Sequence, residues 1–276
     1  MDRPKLLALD MDGTLLDSRK RLSPRTLNAL RALSAGGVCV AAATGRGWAE
    51  MEMYLALMPF MRWGILTSGA MIVDFHSSQP LRITAMRTED VNACLDVCRR
   101  EDAMPHFLTV RESVVREDQI GRLAEFHHGD YVSLFGKVCV RVSDMRAYAA
   151  SHTGDVLKVC MYHRDVRGRL RSLNALKDTG LDLRFSGSTS LEAVAGGISK
   201  GEGLKALAAR LGLETSECAA VGDADNDLDL LRTAGLSAAM GNAPEHVRRE
   251  ADMTVADNDH DGVAEAVGRM FGIWAE

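Results

Sequence analysis

The chain has 276 residues, of which 46% are hydrophobic and 26% charged, a composition typical of soluble globular proteins with one large or two ordinary domains. Its formal net charge of −5 gives no general attraction to nucleic acid or acidic lipid, and no apolar run approaches the roughly 20 residues of a membrane-spanning helix. The first residues carry no signal-peptide pattern, so we expect a cytoplasmic protein that binds neither nucleic acid nor membranes.

The first predicted strand, Leu6–Leu9, runs directly into two acidic residues, Asp10 and Asp12, and a glycine follows. Residues two apart on an extended chain point the same way, so both carboxylates would be directed at one place beyond a sheet edge. Two anions this close repel each other unless a cation lies between them, most often Mg²⁺, which prefers oxygen ligands. A carboxylate beside bound metal can also attack phosphorus, while its neighbour transfers protons. The alternative is a surface turn, for which Asp-Gly is ordinary chemistry.

A helix and a second strand follow. Ser23 and Pro24 are the signature of a helix start, a capping serine with proline at the first helical position. Residues 38–43 form a continuous apolar run, which favours a strand covered on both faces in a parallel sheet, and hence a right-handed βαβ unit. Thr44 and Gly45 would then stand at the same sheet edge as the first acidic pair, where hydroxyl and amide could hold phosphate oxygens. The alternative is a common cap followed by a glycine turn.

The middle of the chain has a different pattern. From residue 84 to residue 186, short predicted strands alternate with amphipathic helices, and the strands lack acidic ends. This pattern indicates an inserted α/β domain. We therefore assign residues 1–83 and 187–276 to a doubly wound, mostly parallel α/β core and residues 84–186 to the insert.

Three other patterns are assigned structural roles. The adjacent His127 and His128 have no neighbours at zinc-like spacing, and the arginines between residues 164 and 171 lack interleaved aromatic residues. The six cysteines are scattered and form no CxxC pair, which favours core thiols over disulfides or a zinc site.

After the insert, Ser199 and Glu202 match a capping box, which places a helix start at Lys200. Glycines at positions 201 and 203 fit the G-x-G-x-x-A pattern of dinucleotide sites, but they fall inside the helix rather than in a strand-to-helix turn, so we reject that match. Lys200 opposes the helix dipole, which indicates a lysine kept there for an anion or a carboxylate elsewhere. The alternative is a solvent-exposed lysine.

The last strong signal is a short apolar strand, residues 218–222, that ends in an acidic loop from Asp223 to Asp227. An EF-hand would need glycine at the sixth loop position and glutamate at the twelfth, which here are Leu228 and Ala234, so an EF-hand is excluded. Another predicted helix follows. The loop therefore joins a strand to a helix and places Asp223 at the same sheet edge as the first acidic pair.

In this order, these motifs resemble those of the haloacid dehalogenase superfamily, in particular its Cof-type sugar-phosphatase group. The matching segments are residues 10–15 with the DxDGTL motif, 44–46 with the second motif, 199–201 with the lysine motif, 222–227 with GDxxND, and 240–243 and 261–263 with the tail. The resemblance spans most of the chain. It implies a Rossmann-like core with an α/β cap at the insert, Mg²⁺ as cofactor, and hydrolysis of a small phosphorylated metabolite.

The resemblance also implies a role for each matching residue. Asp10 would be the nucleophile and a Mg²⁺ ligand, and Asp12 the general acid/base, with its backbone carbonyl on Mg²⁺. Asp223 would bind Mg²⁺, with Asp227 close by in support. The phosphoryl group would be held by Met11 through its backbone, Thr44, Gly45, Lys200 and Asn226. Lys200 would also keep Asp10 ionised.

One position departs from the family pattern, because Ser68 stands where asparagine is common and its shorter side chain leaves any substrate contact there open. Two other functions stay open: a phosphosugar mutase that uses the same aspartyl-phosphate, and a non-catalytic phosphosugar-binding protein. The sequence does not identify the substrate or the oligomeric state. Candidate substrate contacts in the insert are His106, Arg111, His127 and Lys158.

Overall fold

The computed structural model describes residues 3–274, except for the side chain of Asp130, and shows an α/β protein with two sheets. Within that part, the chain forms two compact units. The first contains the residues up to Gly45, Tyr54–Arg82 and the residues from Ser199 onward, and the second contains Arg46–Met53 and Ile83–Ile198. The predicted fold class, an α/β core with an inserted α/β domain, is confirmed.

The secondary structure is numbered in chain order. The strands are β1 Leu6–Leu9, β2 Cys39–Ala43, β3 Trp63–Leu66, β4 Met71–Asp74, β5 Gln79–Ile83, β6 Met104–Thr109, β7 Ser113–Arg116, β8 Cys139–Val142, β9 Val156–Tyr162, β10 Asp182–Ser186, β11 Ser190–Val194, β12 Cys218–Gly222, β13 Leu236–Ala239 and β14 Met253–Thr254. The helices are α1 Pro24–Ala35, α2 Trp48–Leu55, α3 Thr88–Arg100, α4 Val132–Val138, α5 Met145–Ser151, α6 Val166–Leu176, α7 Lys200–Arg210, α8 Leu228–Thr233, α9 Glu245–Arg248 and α10 Gly262–Phe271.

The first unit is built on an eight-stranded sheet in the order β14-β13-β12-β1-β2-β3-β4-β5. The strands from β14 to β3 pair in parallel, and β4 returns antiparallel to β3. Every residue of β1 is fully buried, as a continuous apolar strand inside a parallel sheet requires. The carboxyl ends of β1, β2, β3 and β12 therefore share one edge, which is where open α/β sheets bind ligands.

The second unit is built on a six-stranded sheet in the order β10-β11-β9-β6-β7-β8. Its pairs are antiparallel except for β7 with β8. One buried cluster in this unit joins Phe107, Val159 and Leu191 of the sheet to residues of α3 and α5, among them Leu95 and Met145. The insert thus has a hydrophobic core of its own, which is what distinguishes a domain from a long loop.

The structure differs from the predicted assignment at the end of the insert. Strand β11 pairs with β10 and β9, with Leu191 opposite Met161, so residues 190–194 belong to the second sheet. A boundary at residue 186 falls inside the β10–β11 hairpin, whereas the compact unit ends at Ile198. A short strand carries the same alternation in either sheet, and only its hydrogen-bonding partners decide between them.

Two glycines let helix α7 approach its neighbours closely, Gly203 toward β3 of the core sheet and Gly201 toward α8. Ser199 caps the helix, its Oγ accepting from the N–H of Glu202 at 3.1 Å, as the sequence predicts. A Cβ at Gly203 would lie 2.3 Å from Cγ2 of Ile65, and one at Gly201 would lie 2.6 Å from the carbonyl oxygen of Asp229. The G-x-G spacing that imitates a dinucleotide motif therefore serves packing.

Two further observations concern the described residues as a set. No helix among residues 3–274 has both the length and the apolar character needed to cross a membrane. All six cysteines lie in this part of the chain, and each is a free thiol. The interpretation of the cysteines as thiols rather than disulfides is thereby confirmed.

We expect Gly203→Ala to lower the free energy of unfolding by about 1–2 kcal/mol, because overpacking against Ile65 costs more than the helix propensity of alanine returns. Urea unfolding measures the change. Gly136→Ala in α4 is the control, since no heavy atom lies within 4 Å of that Cβ position. The control should be neutral or more stable by up to about 1 kcal/mol. Equal effects of the two substitutions would contradict the close approach of α7.

Candidate active site

Three strands of the core sheet bring site residues to one edge. Asp10 follows β1, Thr44 follows β2 and Asp223 follows β12. The backbone N–H of Asp10 donates to the carbonyl of Val221 at 3.0 Å, and that of Thr44 donates to Ile65 at 2.8 Å. Both are still held by the sheet ladder and are buried. The sheet therefore fixes the backbone positions from which these two side chains extend.

A buried lysine connects two of the acidic groups. Nζ of Lys200 donates to Oδ1 of Asp10 at 2.5 Å and to Oδ1 of Asp227 at 2.6 Å, and both Lys200 and Asp227 are fully buried. One carboxylate oxygen from each of Asp10, Asp223 and Asp227 lies within 4.8 Å of the others. The ammonium at the first residue of α7 thus contacts two carboxylates despite the helix dipole.

Asp227 also shapes the loop after β12. Its Oδ2 accepts from the backbone N–H groups of Asp223 and Ala224, each at 3.0 Å. The neighbouring Asn226 has a buried Oδ1 with no hydrogen-bond partner within the described residues. An unpaired buried acceptor costs free energy, and such atoms are found where a site is completed by a water, an ion or a ligand.

The acidic group carries more negative charge than Lys200 neutralises. Burial raises the pKa of Asp10 well above its usual range, and Asp227 and Asp223 raise it further against the opposing effect of Lys200. Burial likewise raises the pKa of Asp223 to about 6. Although burial alone would lower the pKa of Lys200, contact with Asp10 and Asp227 raises it. Lys200 thus lowers the pKa of Asp10, as the family resemblance implies, while burial and the two neighbouring carboxylates act in the opposite direction.

Asp12 stands apart from the three grouped carboxylates. Its Oδ1 accepts from Nζ of Lys20 at 2.7 Å, and about a third of its side chain is exposed. An exposed pair of this kind contributes little to stability and opens readily. Met11, between the two aspartates, is fully buried, and its carbonyl accepts from the N–H of Leu16 at 2.8 Å.

The loop between β1 and α1 approaches Asp223 closely. Gly13 has φ of +85°, and a Cβ there would lie 2.4 Å from Oδ2 of Asp223. Oγ1 of Thr14 donates to Oδ1 of Asp223 at 2.7 Å. Glycine is therefore required at position 13 both for its conformation and for the space that the carboxylate occupies.

The segment after β3 is strained and packs against the start of α7. Thr67, Ser68 and Gly69 have φ of 54°, 60° and 103°, and a Cβ at Gly69 would lie 2.1 Å from the carbonyl oxygen of Ser199. The N–H of Ser68 donates to the carbonyl of Thr44 at 2.9 Å. Backbone strain of this kind persists only where surrounding structure enforces it, commonly at functional sites.

The candidate contacts in the insert have different surroundings within the second unit. His106 is buried between Oγ of Ser113 at 2.6 Å and the hydroxyl of Tyr162 at 2.9 Å. Lys158 is buried and pairs with Glu192, while the guanidinium of Arg111 lies 4.0 Å from the ring centre of Trp48. The fourth candidate, His127, is exposed, and its Nε2 contacts the carbonyl of Arg164 at 2.8 Å.

Sequence reasoning missed three residues that contact carboxylates of the site: Thr14 and Asn242, which donate to Asp223, and Lys20, which pairs with Asp12. Thr14 and Asn242 lie inside segments that the family resemblance covers, so a signal was present without a role attached to it. Lys20 lies outside every matching segment, and its contact depends on how the chain turns after β1.

The donor set of the site fits a hard divalent cation. Three carboxylates with one lysine leave a net charge of −2 when all are ionised, and their oxygens lie close enough to share one ion. Magnesium prefers oxygen ligands and commonly binds one or two carboxylates beside a substrate phosphate. Burial is the main cause of the raised pKa values of Asp10 and Asp223, and the neighbouring carboxylates add to it.

Together, a parallel α/β sheet and a buried group of three carboxylates and a lysine at its ligand-binding edge are typical of enzymes that act on charged substrates with a divalent cation. Comparison with known proteins gives the family. The chain belongs to the haloacid dehalogenase-like hydrolases, whose family model matches residues 7–267.

Similar proteins support this assignment over nearly the whole chain. A 5-amino-6-(5-phospho-D-ribitylamino)uracil phosphatase of Bacillus subtilis, YitU, is 27% identical over 98% of this chain and 99% of its own. An HMP-PP phosphatase of Serratia proteamaculans is 30% identical over 87% and 84%. A crystal structure of a haloacid dehalogenase-like hydrolase from Bacteroides thetaiotaomicron is 26% identical and superimposes with a TM-score of 0.85, covering 98% of this chain and 100% of that one.

Membership in this family confirms the predicted enzyme class. The chain is a phosphoric monoester hydrolase of the Cof type that acts on small phosphorylated molecules. Its acidic group of Asp10, Asp223 and Asp227 is typical of Mg²⁺ sites in such enzymes.

The buried His106 makes the stability of the protein depend on pH. Burial lowers its pKa to about 3, with Lys158 and His128 adding to the shift, whereas an unfolded histidine titrates near 6.5. The stabilisation is therefore complete above pH 6.5 and is lost as the pH falls toward 3, because only the unfolded chain then binds the proton.

We expect the titration of His106 to lower the free energy of unfolding by about 2 kcal/mol when the pH falls from 7 to 5. Urea unfolding at both pH values should show that loss in the wild type and a smaller loss in His106→Gln, which has no titrating ring. The comparison between proteins removes the contribution of all other groups. Identical pH dependence in both would show that His106 is not neutral in the folded state.

Proposed function

We propose that the chain hydrolyses small phosphomonoesters, sugar phosphates or related metabolites, through an aspartyl-phosphate formed on Asp10. The observation that carries this proposal is the contact of Lys200 with Asp10 and Asp227, with Asp223 beside them. A nucleophilic carboxylate, a fixed cation and further acidic ligands are the parts that phosphoryl transfer through a covalent intermediate requires.

Asp10, Asp223 and the backbone carbonyl of Asp12 would hold Mg²⁺, with Asp227 in support. Both oxygens of Asp227 already accept hydrogen bonds, one from Lys200 and the other from two backbone N–H groups. Its main task would thus be to position Lys200 and the loop. When bound, Mg²⁺ supplies positive charge that neutralises the phosphate oxygens during transfer.

The phosphoryl group would be held by donors around Asp10. Under this proposal they are the backbone of Met11, the hydroxyl of Thr44, the amide of Gly45, the ammonium of Lys200 and the side chain of Asn226. These groups act by position and charge, because the transferred phosphoryl group carries its charge on three oxygens. Asn226 would donate to the phosphoryl group through Nδ2, because its unpaired Oδ1 is an acceptor that phosphate oxygens do not satisfy.

Asp12 would move the protons in two half-reactions. A carboxylate oxygen of Asp10 bonds to phosphorus as the ester P–O bond breaks, and Asp12 gives its proton to the departing alcohol oxygen. Water then attacks phosphorus, its proton returns to Asp12, and inorganic phosphate leaves with Asp10 restored. The exposed position of Asp12 and its ion pair with Lys20 suit a side chain that must move.

The substrate class rests on the relatives, which act on different compounds. The Bacillus subtilis relative is a phosphatase of a phosphoribitylaminouracil and the Serratia relative an HMP-PP phosphatase. Both are phosphatases, and at 27% and 30% identity we infer that this chain shares the hydrolysis of a phosphorylated compound but not the identity of that compound. Screening purified protein with Mg²⁺ against sugar phosphates, nucleotides and pyridoxal phosphate tests the proposal, and failure to release phosphate from any of them would overturn it.

We expect Asp10→Asn to lower kcat by at least about a thousandfold on the best substrate of that screen, because the amide is not a nucleophile. Phosphate release measures the rate, and circular dichroism checks the fold. Asp229→Asn is the matched control, an exposed carboxylate on α8, and should keep near-normal turnover. Near-normal turnover in Asp10→Asn would refute the nucleophile assignment.

Removal of Mg²⁺ and removal of one of its proposed ligands should both reduce phosphate release. Chelation by EDTA should abolish phosphate release, and added Mg²⁺ should restore it. Asp223→Ala should raise the Mg²⁺ concentration needed for half-maximal activity and weaken Mg²⁺ binding measured by calorimetry, because one charged oxygen ligand is lost. Unchanged Mg²⁺ affinity in Asp223→Ala would remove Asp223 from the metal site.

A further inference from the structure

Asn242 is an exposed residue after β13 whose side chain joins two loops of the active site. Its Nδ2 donates to the carbonyl of Gly13 at 2.9 Å and to Oδ2 of Asp223 at 3.3 Å. The first acceptor belongs to the loop that carries Asp12, and the second is in the proposed metal site. One amide nitrogen thus ties the loop after β1 to the loop after β12.

The orientation of this amide follows from its neighbours. Oδ1 of Asn242 accepts from the backbone N–H of Asn258 at 3.2 Å, and Nδ2 faces only acceptors, a carbonyl and a carboxylate. In a flipped amide, Nδ2 would face the backbone N–H of Asn258 and Oδ1 would face the two acceptors. Both arrangements are repulsive, so one orientation is selected. Asn258 is itself held, since its Nδ2 donates to the carbonyl of Leu16 at 2.9 Å.

With Thr14 on Oδ1 and Asn242 on Oδ2, each oxygen of Asp223 has one neutral donor. A carboxylate has about four lone-pair positions, so room for a cation is left on both oxygens. Neutral donors orient the group without cancelling its charge. A lysine at position 242 would instead compete with the metal ion for the same carboxylate.

We propose that Asn242 is a positioning residue for Mg²⁺ binding, which holds Asp223 in the orientation that the metal requires; this rests on the proposed metal-dependent function. Residues that orient metal ligands from the outer shell typically change metal affinity by 10–100-fold when removed. Their loss costs little stability when the hydrogen bonds are exposed, as they are here. A merely structural residue would show the opposite pattern.

The test is calorimetric titration of the full chain with MgCl₂ in the wild type, Asn242→Ala, Asn242→Leu and the control Asn28→Ala. Asn28 is an exposed asparagine of α1 whose side chain accepts one hydrogen bond from Arg31. We expect both Asn242 variants to bind Mg²⁺ about 10–100-fold more weakly and the control to bind as the wild type. Their thermal unfolding midpoints in EDTA should equal that of the wild type.

Wild-type Mg²⁺ affinity in folded Asn242→Ala and Asn242→Leu would overturn the proposal. Weaker Mg²⁺ binding accompanied by a lower thermal unfolding midpoint in EDTA would also overturn it, because Asn242 would then act on folding. The proposed function is judged separately, by phosphate release from wild type with Mg²⁺. A wild type that binds Mg²⁺ but releases no phosphate would refute the function alone, while a wild type that binds no Mg²⁺ would refute both.

Discussion

The active site depends on one buried ammonium, that of Lys200, held between carboxylates from two different loops. Removing a lysine from water is costly unless its partners are close and well placed, and here both lie within 2.6 Å. The pairing locates the start of α7 against the sheet edge and fixes the side chain of Asp10. It leaves negative charge in excess, and that excess makes the site suitable for a divalent cation, which would in turn attract a phosphate ester.

Much of the surrounding structure serves to bring backbone close enough for this contact. Asp10 and Lys200 are 190 residues apart in the chain, so no local preference can join them. Glycine at 69 and 203 lets α7 and the segment after β3 approach each other, and glycine at 13 leaves room for the carboxylate of Asp223. A larger side chain at any of these positions would collide with the atoms that now lie there.

The core and the insert differ in how much of their chemistry could be predicted. Residues 10, 44, 200 and 223 were identifiable because each stands at a strand end or helix start, where the chain direction dictates its location. In the insert, His106 and Lys158 were candidate substrate contacts, and nothing in the sequence favoured one over the other. The fold buries both with partners, His106 against Ser113 and Tyr162 and Lys158 against Glu192, and a histidine or lysine in a short strand has no sequence signal that distinguishes this from exposure.

By itself, the sequence determined the elements and their chemistry: α3 at Thr88–Arg100 follows from its amphipathic pattern, the caps at Ser23 and Ser199 from their residue types, and the acidic strand ends from their motifs. These are properties of neighbouring residues, and short-range physics is sufficient to specify them. Only the tertiary structure decided that β11 joins the second sheet, that Lys20 pairs with Asp12, and that Asn242 reaches Asp223. Each of these depends on where distant backbone lies, which is set by the packing of the whole unit and not by the neighbouring residues.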